Sequence, residues 1–85
     1  MTVKLKKEEF DYLSNSLLTE NEDLYSKLQF SARGSFFFVE VSKEIVDEVH
    51  EWAMDELQRI GFDINYDLTK EGKILQGLVD TLFEG

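Results

Sequence analysis

No cysteine and no proline occur among the 85 residues, and histidine and tryptophan appear once each. Without cysteine there is no disulfide framework, no thiolate nucleophile and no thiolate metal site. An unstapled domain of this size fits a reducing compartment, and the protein is read as cytoplasmic. Without proline there is no proline-fixed turn and no slow peptide isomerisation to account for. No apolar run approaches the ~18 residues that mark a membrane span. The opening MTVKLKKEEF has no apolar stretch, so no signal peptide is expected. Phosphate-cradling loops are missing too: there is no G-x-x-x-x-G-K-[ST] and no G-x-G-x-x-G, and Gly72 and Gly77 stand isolated within a helical pattern.

Positive charge is also scarce. Nine lysines and arginines face eighteen carboxylates, for a net charge of −9 and a pI near 4.4. Such a field repels phosphate backbones and anionic lipid, so neither nucleic acid nor a membrane surface is an expected partner, whereas a basic protein is. The imbalance is local. Lys4, Lys6 and Lys7 carry the first seven residues without an acid, while nine carboxylates fall between residues 40 and 67 against Lys43 and Arg59 alone.

What the sequence does have is centred on residues 42–61, SKEIVDEVHEWAMDELQRIG. Ser42 is an N-cap, its hydroxyl placed to accept from a free N–H of the first turn. Glu44 favours the positive end of the helix dipole and Arg59 the negative end. Gly61 is read as a left-handed C-terminal stop. At 100° per residue Ile45, Val46, Val49, Trp52, Ala53, Leu57 and Ile60 share one side, and Glu44, Asp47, Glu48, Glu51 and Asp55 share another. Glu56 breaks the pattern by pointing into the apolar arc, where a carboxylate is paired, functional, or snorkelling at a helix end.

Around this helix the chain predicts a small α+β fold in a single domain, residues 1–85. An antiparallel sheet of two or three strands packs with three to four helices. Thr2 to Leu5 is a short strand and Lys6 to Leu18 a helix bearing Phe10, Leu13 and Leu17. Thr19, with Glu22 three residues on, reads as a capping box that restarts a short helix through Leu24 and Tyr25. Arg33-Gly34 is a turn. Ser35 to Val41 is the strongest strand signal, with Phe36 and Phe38 on one face and Phe37 and Val39 on the other. Both faces then need cover, from helices or from a second subunit. Phe62 to Asp67 alternates apolar and polar; a loop pinned by its three apolar side chains is favoured over a third strand. Thr69 caps a last helix whose apolar face holds Ile74, Leu75, Leu78, Val79, Leu82 and Phe83.

Chemistry is thin in this pattern. Catalysis by a nucleophile and base would rest on His50 alone, at the edge of the apolar face, where a boundary histidine or a pH-sensitive contact is the simpler reading. Asp47 and His50 have a spacing that can hold a metal, but di-metal helical sites need two such motifs, so no metal and no cofactor are expected. The acidic stripe is either a solvated face or a docking surface, with Trp52 on its border as core residue or interface anchor.

The string GFDINYDLTKEGKILQGLVDTLF, residues 61–83, resembles a recurrent ending, G-F-D-x-x-Y-x-L-T-x-E-G-x-I-L, of short acidic, largely uncharacterised bacterial proteins. The helix before it is similar to theirs, so the resemblance covers residues 42–83; the first half agrees in layout only. Where that family often has an acidic residue after Ile-Leu, this chain has Gln76 and Gly77. The resemblance implies a link to toxin loci and hence an immunity or inhibitor role, and carries over no catalytic residues. The expectation is a non-enzymatic protein that meets a basic partner through Glu44, Asp47, Glu48, Glu51 and Asp55 with Trp52. The alternative is a homo-oligomeric structural or regulatory protein, a homodimer being the simplest, with Phe36 and Phe38 at the contact.

Overall fold

A computed structural model describes the backbone of residues 1–84 and the side chains of residues 1–82. Phe83, expected on the apolar face of the last helix, has its side chain outside the described residues. The chain runs β1 (Thr2–Leu5), α1 (Lys7–Tyr12), a π-helical segment (Leu13–Leu17), α2 (Leu18–Glu20), α3 (Glu22–Ser26), β2 (Gln29–Arg33), β3 (Phe36–Glu40), α4 (Lys43–Ile60) and α5 (Lys70–Glu84).

The three strands form an antiparallel sheet in the order β1-β3-β2, so the fold is α+β as the pattern predicts. Val3 pairs with Val39 and Leu5 with Phe37, which turns β1's two buried side chains and β3's apolar pair to the same face. There Phe37 stacks on Phe10 of α1, ring centroids 4.1 Å apart, and Phe30 of β2 meets Phe10 edge-on at 5.1 Å. The helices all gather on this side. Val46, Val49 and Ala53 of α4 close the core with Leu75, Leu78 and Leu82 of α5 and Leu13, Leu17 and Leu24 from the first helical arm. Among the described residues, the other face of the sheet has no helical layer. Phe36 is 39% exposed there, with the Lys4 ammonium 3.9 Å above its ring.

β2 has no clear signature in the sequence. It is an edge strand whose one half-buried residue is Phe30, so it lacks the alternation that reveals a strand. The two residues Gly34 and Ser35 join it to β3, with Gly34 at φ +62°, a conformation L-residues rarely adopt.

The first helical arm starts where the lysines argued against a start. The backbone N–H of Lys6 donates to the Glu9 carboxylate at 2.8 Å, and Glu9 is buried. Gly77 of α5 makes room for it, since a Cβ there would lie 3.1 Å from Glu9 Oε2. The cap expected at Thr19 falls instead at Asn21, whose side chain accepts from Leu24 N at 3.1 Å. Thr19 is still inside the arm, its hydroxyl donating back to the Asn15 carbonyl at 2.7 Å. The wide π turn, which the sequence does not announce, carries the helix on to Glu20.

α4 matches its predicted bounds, with Ser42 accepting from Ile45 N at 3.4 Å. Its stop works differently from expectation. Gly61 has φ −81°, not a left-handed value. Glycine is required there by crowding: a Cβ on Gly61 would press into the Leu57 carbonyl, and one on Gly72 into the Gly61 carbonyl. The end of α4 and the start of α5 therefore meet backbone to backbone. Thr69 rivets the contact. It accepts from Gly72 N at 2.9 Å as the helix cap and donates to the Ile60 carbonyl at 3.2 Å.

The connection between these helices is a loop carrying one isolated bridge, Phe62 to Leu68. It is not pinned by apolar side chains as expected: Ile64 is 93% and Tyr66 86% exposed. Asp63 holds it instead, its carboxylate accepting from Asn65 N at 2.8 Å and Asp67 N at 3.1 Å. That turn sets Tyr66 at φ +64°. No helix among the described residues is long and apolar enough to cross a membrane.

Candidate functional site

Glu44, Asp47, Glu48, Glu51 and Asp55 are all exposed on α4. None of them takes part in an ion pair among the described residues. Only part of this stripe borders a concave surface. Glu48, Glu51, Trp52 and Asp55 line a depression of about 420 Å³ between α3 and α4, to which Glu44 and Asp47 do not contribute. The far wall is α3 with Asp23, Leu24 and Lys27, residues that sequence reasoning missed. No signal in the sequence could have found them, because the pairing of α3 with α4 is made only by the tertiary fold. Trp52 is half-buried, 6.1 Å from the Tyr12 ring, and its Nε1 is closed off from water with no acceptor.

Phe36 and Phe38 lie apart from this depression, alternating along β3 on the face of the sheet that no helix covers. His50 is half-buried, as its boundary position predicts, and does not line this depression. Among the described residues no group of three or more histidines and carboxylates converges as a metal site would require.

A second acidic region lies where the sequence flagged only one odd glutamate. Between the first helical arm and the α4–α5 pair is a cleft of about 680 Å³. Its carboxylates are Glu8, Asp11, Glu20, Glu56 and Glu71, its cations Arg59 and Lys70, and its apolar wall Tyr12, Ile60 and Ile74. Glu56 is 3% exposed. One of its oxygens accepts a short hydrogen bond from Arg59, whose guanidinium also stands 3.3 Å from Glu20 Oε1. The other oxygen, Oε2, has no donor among the described residues.

The electrostatics follow from that crowding. The Glu20 carboxyl is held above its usual range, first by hydrogen-bonding contact with the Glu56 carboxylate, which favours a proton between them, then by burial and by Glu56's charge. Arg59 opposes this. The Trp52 indole also approaches Glu20 closely enough to work against the rise, but without completing a hydrogen bond of normal geometry. The Tyr12 phenol is raised as well, chiefly by burial, against a hydrogen bond with Ser16 and with further push from Glu56, Glu71 and Glu20. Arg59 is held still more firmly in its charged form by Glu56.

Fold and sites together define a small acidic α+β protein with an exposed carboxylate stripe on α4 and a second carboxylate cluster built around the buried Glu56. No protein family matches the chain, and neither a curated protein nor a solved structure matches it.

Proposed function

We propose that the protein is a non-enzymatic interaction protein of inhibitor or immunity type, which docks its acidic α4 face on a basic surface of another protein. The observation that carries this reading is the depression beside Trp52. It gathers Glu48, Glu51 and Asp55 with Asp23 around an aromatic side chain, and Lys27 is the one cation lining it. A large amphipathic ring set among mostly negative exposed charges has the composition of an interface anchor. Exposed carboxylates of this kind steer a cationic partner over about 10 Å at 0.1 M salt and chiefly raise the rate of encounter. Affinity capture at low and high salt tests it, with a Glu44→Gln, Asp47→Asn, Glu48→Gln, Glu51→Gln variant alongside. One basic protein held stoichiometrically by the wild type, and released by salt or by the variant, is the expected result. Capture that is indifferent to both overturns the reading.

A second reading, self-association through the outer sheet face, is favoured by Phe36, which is 39% exposed on a face without a covering layer. A dimer in light scattering that dissociates on Phe36→Ser would support it; a monomer at high concentration would end it.

A further inference from the structure

We propose that the cleft between the first helical arm and the α4–α5 pair is a binding site for a primary ammonium group carried on an aliphatic chain, held between Glu20 and Glu56. This site is separate from the α4 stripe and does not depend on the docking role.

The argument begins with Glu56 Oε2. It belongs to a carboxylate that is 3% exposed, it has no donor among the described residues, and its residue lines the cleft. A buried acceptor without a donor is costly, and more so when charged. Arg59 does not remove the problem, because its guanidinium engages Oε1 of Glu56 and Oε1 of Glu20. Two carboxylates are thus brought together with one oxygen of the buried member unserved. Such a pair is satisfied by a shared proton or by a further cation, and the rise in the Glu20 pKa is its response when only the proton is available.

The surroundings select the cation. The cleft wall has five carboxylates against Arg59 and Lys70, so anions are repelled. A hard divalent ion needs several convergent oxygens, and no group of three metal-ligating side chains converges among the described residues. A second guanidinium would duplicate the fork that Arg59 already supplies. An ammonium is a compact charge with three donors, able to serve Glu56 Oε2 and Glu20 together. Tyr12, Ile60 and Ile74 offer an apolar wall for the chain behind it. Glu20 and Arg59 have side chains 38% and 60% exposed, so they can yield the small displacement that opens Oε2. The π segment Leu13–Leu17 points the same way: Asn15 and Ser16 from it line the cleft, and π turns frequently mark functional positions.

The ammonium can come from a free aliphatic amine or from a lysine side chain, and two probes separate these sources. Uniformly ¹⁵N-labelled protein is titrated with n-pentylammonium chloride and with Nα-acetyl-lysine methylamide, against sodium chloride at matched ionic strength. Saturable shifts of the Trp52 indole and of the Glu20, Glu56 and Arg59 amides are expected with at least one probe. Glu56→Gln and Glu20→Gln should each weaken binding about tenfold, the worth of one charge-assisted hydrogen bond, while Glu51→Gln leaves it unchanged. Glu20 is partly exposed, so its variant remains informative if Glu56→Gln folds poorly. Shifts no different from those of sodium chloride, or equal binding by the Glu20→Gln variant, would overturn the site.

Discussion

Glu51 and Glu56 stand five residues apart on one helix and live in opposite physical regimes. Glu51 is exposed among like charges, without an ion pair among the described residues, and water screens it. Glu56 is buried, bonded to Arg59, crowded by Glu20 and short of one donor. Stripe and cluster hold five carboxylates each, but only the cluster sets one of them in a buried, hydrogen-bonded position. The number of carboxylates in a region therefore says little about what the region does. Whether the rest of the fold surrounds a carboxylate decides whether it steers at long range or binds at short range.

Five substitutions test that contrast, and a sixth adds a pH signature. The largest expected effect is at the wall behind the cluster. Gly72→Ala forces a methyl into the Gly61 carbonyl and prises α5 from α4, which should cost about 3 kcal/mol in a denaturant titration. A smaller loss would mean that the two helices have slack there. Next comes the direct comparison. Glu56→Ala should lower stability by about 2 kcal/mol and Glu51→Ala by less than about 0.5. Glu56→Leu, which keeps the buried stem and deletes the unserved oxygen, should recover most of the loss. Equal costs at positions 51 and 56 would dissolve the distinction between the regions. Within the stripe, Glu48→Lys replaces repulsion from Glu44 and Glu51 by attraction. It should stabilise by about 0.5 kcal/mol at low salt and by visibly less at high salt.

The smallest effect carries a pH signature. The folded state holds the Glu20 proton above the unfolded value of 4.5. Glu20 therefore supports folding fully below that value and loses this support as pH rises through the raised folded pKa. Glu20→Gln should raise the neutral-pH Tm by on the order of 1–2 °C, a gain that fades below about pH 4.5. The same substitution should weaken ammonium binding. A variant that is more stable and binds less is what a site predicts, whereas a purely structural residue would lose stability on removal.

Legibility followed the range of the interactions involved. α4 could be read to the residue, because its cap, dipole charges and apolar stripe are all local in sequence. β3 was equally plain, since an aromatic and β-branched run leaves few alternatives. β2 was missed because an edge strand buries so little that its pattern vanishes. The cap was misplaced by two residues because the arm runs on through Glu20, where Thr19 bonds back to the Asn15 carbonyl and leaves the capping to Asn21. Gly61 was seen as a stop for the wrong reason: a Cβ there would meet the Leu57 carbonyl, and its own carbonyl lies against Gly72, eleven positions away. Of the candidate stripe, the exposure of all five acids was predictable from helical phase. The opposing α3 wall, and the separation of Glu44 and Asp47 from the depression, were not.

By itself the sequence determined the α+β class, the long amphipathic helix, the strongly negative field and the inward direction of Glu56. All of these follow from composition and from periodicities of a few residues. Only the tertiary structure decided what Glu56 meets. Glu20 lies 36 positions earlier and Tyr12 and Ser16 earlier still, on an arm whose approach depends on a shared core instead of on any spacing. Helical phase points a side chain inward; the partner it finds there is set by packing between segments far apart in the chain.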